Sequence, residues 1–301
     1  MKILLFGKNG QIGWELQRSL APLGEVIALQ KNSPSHCGDL SNLEGIAQTV
    51  ADIAPDVIVN AAAYTAVDQA ESESQHAHTI NALAPGILAQ AAKRCQAWLV
   101  HYSTDYVFDG HGDQPLSEID PTQPLNIYGS TKLAGEKAIE DTGCQHLIFR
   151  TSWVYSTQGN NFAKTMLRLA QERDHLRVIN DQIGSPTGAD LLADITAIAL
   201  RAAKNQKENV SGLYHATASG ETSWYHYAQF VLHFARQAGI AIKVTPETLT
   251  PISTQAFPLP AKRPNNTRLN CQKLRDTFGL HLPHWEMGVA RMLSEMTKNA
   301  Q

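Results

Sequence analysis

The chain has 301 residues, 43% of them hydrophobic and 18% charged, with a formal net charge of −3. This is ordinary globular composition, long enough for one large domain or two smaller ones. A mild negative charge with no basic run of five or more excludes a protein that binds nucleic acid by neutralising phosphates. No apolar stretch approaches the roughly 20 residues of a membrane span, and the opening apolar run is too short for a secretory signal. Cys37, Cys95, Cys144 and Cys271 are scattered with no CxxC pair, and the 12 histidines form no HxxxH or HExxH pattern. No zinc site or catalytic metal is indicated, and four free thiols in a cytoplasmic protein is the preferred reading.

Along the chain, residues 3–6 form a short apolar strand that runs into glycines. Residues 11–20 have helical spacing and stop before Pro22, and 26–29 form a second strand. Ser41 followed by Glu44 is a capping-box pattern that opens a helix to about Ala54. Residues 56–60, after Pro55, are a third strand, and 73–94 a long Ala-rich helix. A fourth strand spans 97–102, a helix 124–141 and a fifth strand 146–151. Repeated strand–helix units predict a parallel sheet with helices on both faces. After Trp153 the rhythm loosens, with helices expected at 160–173, 189–203, 223–239 and 285–298. Prolines 246, 251, 258, 260 and 264 mark 244–266 as a surface loop over a cleft.

Gly7-Lys8-Asn9-Gly10-Gln11-Ile12-Gly13 is a GxxGxxG loop between a strand and a helix. Gly7 allows the tight turn, Gly10 lets phosphate approach the backbone, and Gly13 permits close helix–strand packing. The helix N-terminus would face the pyrophosphate of a dinucleotide. At the end of the second strand, where a carboxylate commonly holds the adenosine ribose, Gln30 and Lys31 stand instead. Neither would repel a 2′-phosphate, so NADPH is expected to be accepted, alongside NADH. Asp39-Leu40 is placed to flank the adenine. In Ala61-Ala62-Ala63-Tyr64-Thr65, small side chains after the third strand let a cofactor lie against the backbone, although ordinary helix–strand packing explains each alanine equally well.

Tyr128 and Lys132, four apart in Tyr128-Gly129-Ser130-Thr131-Lys132, share one face of a helix. A neighbouring cation favours the phenolate and makes the phenol a stronger acid. Thr104, at the end of the fourth strand, could meet them and hydrogen-bond the reacting oxygen. Such a trio would pass a proton to or from a sugar oxygen while a nicotinamide moves a hydride. YxxxK alone often marks a solvated helix face; its coincidence with the glycine loop and a strand-end threonine is far more specific.

With these motifs the chain resembles the extended short-chain dehydrogenase/reductase superfamily, and within it the branch that reduces a nucleotide-linked 4-keto sugar. The likeness runs over essentially the whole chain. It is carried by the segments 4–13, 56–68, 103–110 (Ser-Thr-Asp-Tyr-Val-Phe-Asp-Gly), 128–132, 150–155 and Arg263-Pro264. It implies a Rossmann-like α/β fold, a doubly wound parallel sheet with a smaller C-terminal substrate-binding domain. Residues 1–150 would bind NAD(P) and 151–301 mainly substrate, with some segments returning to the first domain. By position, Tyr128 would donate the proton, with Thr104 tuning it and touching substrate beside Asp105. Gly10, Gln11, Ile12, Gln30, Asp39, Leu40, Ala63, Tyr64, Thr65, Tyr102 and Lys132 would line the nicotinamide cofactor, together with Gly7 and Tyr128 itself. Trp153 would pack against the sugar. The implied reaction is reduction of carbon 4 of dTDP-4-dehydro-L-rhamnose, in nucleotide-sugar and cell-surface polysaccharide synthesis, by a cytoplasmic homodimer. Some members use magnesium; no ligand motif stands out, and Glu15, Asp190 and Glu295 would either gather an ion at a subunit contact or be solvated helix faces. Dehydratases of the superfamily carry an acid directly after the Thr-Asp pair, where this chain has Tyr106, which favours simple ketone reduction.

Other readings stand beside these. Trp153 would serve equally as core packing, and Asp105 as the cap of a turn. Arg263 would clamp a diphosphate bidentately or be a plain surface arginine. Asn160-Asn161 would start a helix. An epimerase of the same superfamily, which regains its nicotinamide each cycle, and a non-catalytic NADP-binding regulatory subunit are the alternative functions.

Overall fold

The computed structural model describes residues 1–205 and 209–298. Five strands alternate with helices: β1 (Lys2–Phe6), α1 (Gln11–Leu20), β2 (Glu25–Leu29), α2 (Leu43–Ile53), β3 (Val57–Asn60), the short α3 (Val67–Ala70) and α4 (Ser74–His78), α5 (Ala84–Cys95), β4 (Trp98–Thr104), α6 (Ile127–Glu140) and β5 (His146–Thr151). The remainder comprises β6 (Val154–Tyr155), α7 (Phe162–Glu172), β7 (Leu176–Ile179), β8 (Ile183–Gly184), β9 (Thr187–Gly188), α8 (Ala189–Asn205), β10 (Gly212–His215), β11 (Thr222–Ser223), α9 (Trp224–Gln237), β12 (Leu249–Ile252), α10 (Gln272–Phe278) and α11 (Trp285–Lys298).

The central sheet has the order β10-β5-β4-β3-β1-β2 and all its pairings are parallel. Alternation along each buried strand sends side chains to opposite faces. Ile3 and Leu5 pack with Leu16 and Leu20 of α1, Leu192 of α8 and Leu274 of α10. Leu4 and Phe6 pack with Ile46 and Val50 of α2, Leu88 of α5 and Ile139 of α6. The sheet is therefore doubly wound, as the strand–helix rhythm predicts. Strand order reverses between β1 and β3, and the carboxyl edge there opens into a crevice. A third cluster, built by α7, α9, α11, β7 and β12 around Tyr227, Val231 and Val289, forms a second body beside that edge.

Several sequence expectations need correction. Helix α2 is capped by Asn42, whose side chain accepts from Gly45 N–H, while Ser41 is bound to Asp39. The expected long helix over 73–94 is broken by a π-helical turn at Thr79–Leu83. Pro85 has no N–H to offer the Asn81 carbonyl, so the ladder loosens just before it. That carbonyl instead faces Gly135 of α6, where a Cβ would come within 2.1 Å of it. The proline-rich segment 244–266 contains a strand, β12, paired with β7.

Helix α6 is tied to β5 by a bidentate pair, Arg150 Nε to Glu136 at 3.0 Å and Nη2 at 2.6 Å, with both side chains almost wholly buried. Removing one partner strands a buried charge. Arg150→Met is expected to destabilise the fold by about 3–5 kcal/mol in urea unfolding, and the double change with Glu136→Met to recover most of that loss. Equal losses in the single and double variants would contradict this account of the pair.

Candidate active site

Gly7 ends β1 at φ +86°, and a Cβ there would lie 2.8 Å from Ala62 N, so the first turn of the loop demands glycine. A cavity of about 650 Å³ opens over this turn. Gly7, Gly10, Gln11 and Ile12 line one side, Ala61, Ala62, Ala63 and Thr65 the floor, and Tyr102, Thr104, Asp105, Tyr128, Lys132 and Trp153 the far wall. A second cleft of about 400 Å³ shares Gly7, Gly10 and Ala63 and is bounded by Gln30, Lys31, Asp39 and Leu40. Asn9 donates to the Gln30 side chain, and Lys31 Nζ lies 3.8 Å from the Asp39 carboxylate.

Tyr64 departs from the expected lining: its hydroxyl donates to exposed Glu73 and its ring meets His76 edge-on. Its backbone is pinned by Asn81, which accepts from Tyr64 N–H and donates to its carbonyl. Tyr102 does line the cavity, while its hydroxyl reaches into the core and meets that of Thr196 at 2.6 Å.

The N-cap of α6 is Asn126, which accepts from Gly129 N–H at 2.7 Å and donates to the Lys262 carbonyl. Within the first turn, Tyr128 lies against the Thr104 hydroxyl, with Tyr106 packed edge-on at 5.7 Å. Burial pushes the phenol up to about 12; the Thr104 hydrogen bond opposes this and the Asp105 charge adds to it. Lys132 is not among the groups that shift the phenol. Its Nζ donates to the Tyr102 carbonyl at 2.6 Å and lies 3.1 Å from His101 Nε2. Burial lowers this amine to about 8. The expected acidification of Tyr128 by its neighbour is not found: desolvation raises the phenol, and Lys132 Nζ is directed at a carbonyl rather than at it.

Asp105 is buried, accepts from Thr104 Oγ1 at 2.8 Å, and leaves Oδ2 without a partner. Desolvation raises its carboxyl to about 7, against the hydrogen bond from Thr104. Trp153 adopts φ +47° and stacks on Trp224 with centroids 3.5 Å apart and planes 13° from parallel. Beyond this stack lies an apolar pocket of about 530 Å³ lined by Phe162, Met166, Val178, Trp224, Phe257 and Arg263. Arg263 is held bidentately by Asp68, at 3.0 and 2.8 Å, rather than standing free at the surface. Trp224, Phe162 and His101 were not singled out by sequence reasoning; only His101, a titratable residue inside an otherwise apolar strand, carried a local signal.

Glu15, Asp190 and Glu295 do lie around one small depression, but Arg291 shares it, with Nη1 3.4 Å from Asp190 and Nε 3.0 Å from Glu295. Among the described residues no group of three or more His, Cys, Asp or Glu side chains could hold a metal ion. One guanidinium offsets only part of the charge of these three carboxylates, so the depression stays acidic.

The model of the RmlD substrate binding domain matches residues 1–298. The chain is 60% identical over 296 residues to the dTDP-4-dehydrorhamnose reductase of Escherichia coli strain K12, covering 98% of each. Among solved structures it is similar to the dTDP-4-dehydrorhamnose reductase of Bacillus anthracis in complex with NADP, with TM-score 0.88 and 36% identity over 98% of this chain and 100% of that one. A Clostridium acetobutylicum dTDP-4-dehydrorhamnose reductase structure gives the same TM-score and identity, covering 98% of this chain and 99% of that one.

Because the raised carboxyl of Asp105 favours the neutral acid in the fold, its contribution to stability is complete below about pH 4 and is lost as pH rises through about 7. Asp105→Asn is expected to gain stability over the wild type by about 2–4 kcal/mol on going from pH 4 to pH 8. Urea midpoints of the two proteins at both pH values measure this; a difference that does not change with pH would refute the assignment.

Proposed function

Since the chain belongs to the RmlD substrate binding domain family, we propose that it is an NADPH-dependent reductase of the 4-keto group of dTDP-4-dehydro-L-rhamnose. The observation that carries this reading is the meeting of Thr104 and Tyr128, with Lys132 one turn along α6, on the wall of the cavity above the glycine loop. The cofactor's pyrophosphate would lie on Gly10, Gln11 and Ile12 at the start of α1, its adenosine in the cleft bounded by Gln30, Asp39 and Leu40, and its nicotinamide beside Tyr128 and Lys132. The nicotinamide supplies hydride when bound. Tyr128 protonates the sugar oxygen, Thr104 orients that oxygen beside Asp105, and the indole of Trp153 covers the sugar. The nucleoside diphosphate would extend past Trp224 into the apolar pocket, where Arg263 stands at the rim.

Residues 1–150 would form the cofactor-binding part and 151–301 mainly the substrate-binding part. The returning segments are α8, which packs on α1, and β10, which extends the central sheet. The four free thiols suit a cytoplasmic enzyme. Exposed Trp14 and Met287 flank the Arg291 cluster and favour a homodimer through that face. The product would feed cell-surface polysaccharide synthesis.

Purified protein offered dTDP-4-dehydro-L-rhamnose and NADPH is expected to consume the nicotinamide stoichiometrically and yield dTDP-L-rhamnose by NMR. Tyr128→Phe should lower turnover about a hundredfold or more with the fold intact. Near-normal turnover in that variant would remove Tyr128 as the acid, and epimerised product without net oxidation would favour the epimerase reading.

Lys31 at the adenosine cleft supports NADPH as the preferred cofactor, with NADH also accepted. Lys31→Ala is expected to lower kcat/KM for NADPH about tenfold and to leave NADH nearly unchanged. Parallel loss with both cofactors would show that the cation does not read the 2′-phosphate.

A further inference from the structure

His101 is wholly buried beneath the catalytic pair and has no part in the reaction described above. It is in register with Asn60 of β3, and both side chains emerge on the face covered by α6. Three hydrogen-bond contacts join them to Lys132. Ala62 N–H donates to Asn60 Oδ1 at 3.2 Å, Asn60 Nδ2 lies 3.2 Å from His101 Nδ1, and His101 Nε2 lies 3.1 Å from Lys132 Nζ.

The chemistry of these groups fixes the direction of the chain. A backbone N–H can only donate, so it claims the amide oxygen of Asn60 and turns the NH₂ toward the imidazole. Nδ1 must then accept, which places the ring proton on Nε2. That proton points at Lys132, whose Nζ already donates to the Tyr102 carbonyl at 2.6 Å. An ammonium there would set two donors face to face, whereas a neutral amine accepts from the ring. The chain can accommodate the ammonium only by flipping Asn60, which leaves Ala62 N–H facing the NH₂ group.

We propose that His101 is a positioning residue for Lys132: its Nε2–H holds the lysine nitrogen as an acceptor and so governs when the catalytic pair carries its cation. The inference rests on the reading of Tyr128 and Lys132 given under the proposed function. The other charged or titratable groups around Lys132 do not replace this control. Glu136, on the same face of α6, favours the ammonium but is engaged by Arg150 of β5. Tyr128 of α6 and Asp105, after β4, face each other's site rather than the amine. Burial of Lys132 acts in the same direction as His101. The chain ends at a backbone amide, so it orients and does not conduct protons to solvent.

Two measurements test this. In ¹⁵N-histidine-labelled protein at about pH 9, above the lowered Lys132 amine, two-bond proton–nitrogen correlation should show His101 as the neutral Nε2–H tautomer, assigned by its loss in His101→Gln or His101→Asn. In the kcat/KM profile for NADPH-dependent reduction, His101→Gln, whose side-chain oxygen can turn to an ammonium, should move the alkaline limb upward by about one pH unit, a tenfold change in proton concentration. A ring protonated on Nδ1 or on both nitrogens overturns the proposal, as does a limb that stays within about 0.3 unit of the wild type. A Tyr128→Phe variant that keeps its turnover would instead sink the reading of the site and leave the tautomer of His101 as measured.

Discussion

The site depends on how one helix is docked against the sheet. Tyr128, Lys132 and Glu136 stand four residues apart on α6 and form a single stripe. The deepest of the three is clamped by Arg150 from β5 in a fully buried pair. A buried ion pair adds little net stability over an apolar equivalent, but its geometry is strict. It fixes the rotation and the height of α6 over β4, and from that follow the places of the amine and the phenol further along the stripe. The close approach is permitted by Gly135, which receives the Asn81 carbonyl freed by Pro85. Asn81 in turn holds the backbone of Tyr64 beside the cavity floor. An apparent defect just before α5 thus secures both the catalytic helix and the loop on which the cofactor would lie.

Burial sets the electrostatics of the cavity more strongly than pairwise charge does. It raises the Asp105 carboxyl and the Tyr128 phenol and lowers the Lys132 amine. Each shift moves its group toward the neutral form, which weakens the fixed charge on the cavity wall. An acid that must give its proton to a sugar oxygen is well served by a site that keeps the phenol protonated. Thr104 touches both the carboxyl and the phenol, donating its one hydroxyl proton to Asp105 and lying against Tyr128.

What the sequence revealed was local, and what it concealed was mostly long-range. The glycine loop, its flanking strand and helix, and the Tyr128–Lys132 spacing are written in consecutive residues, so periodicity and turn chemistry expose them. Asn126, three residues before Gly129, was a legible cap overlooked in favour of an earlier helix start at Pro124. The cap of α2 was misplaced by one residue because Ser41 and Asn42 are both good caps, and the side chain of Asp39 claims the serine. The return of β10 to the central sheet and the stacking of Trp224 on Trp153 join segments more than 60 residues apart. No short motif encodes such pairings. The direction of Lys132 also escaped, because a spacing of four places two side chains on one face without saying what else they meet.

The joint between the two bodies shows why an unfavourable backbone conformation is kept. A tryptophan at φ +47° is a genuine outlier, with a cost on the order of 1–3 kcal/mol. Close face-to-face packing on Trp224 offsets part of that cost through the apolar surface both indoles bury. The conformation also lets the Trp153 carbonyl accept from Thr187 N–H, which ties the turn after β5 to β9. With an ordinary backbone the indole would be redirected away from Trp224 and from the edge of Gly184 against which it now lies. The left-handed turn instead places it between the nucleotide cavity and the apolar pocket, both of which Trp224 also lines. One strained residue therefore aligns the two cavities, and it does so from the end of β5, the strand whose Arg150 anchors the catalytic helix.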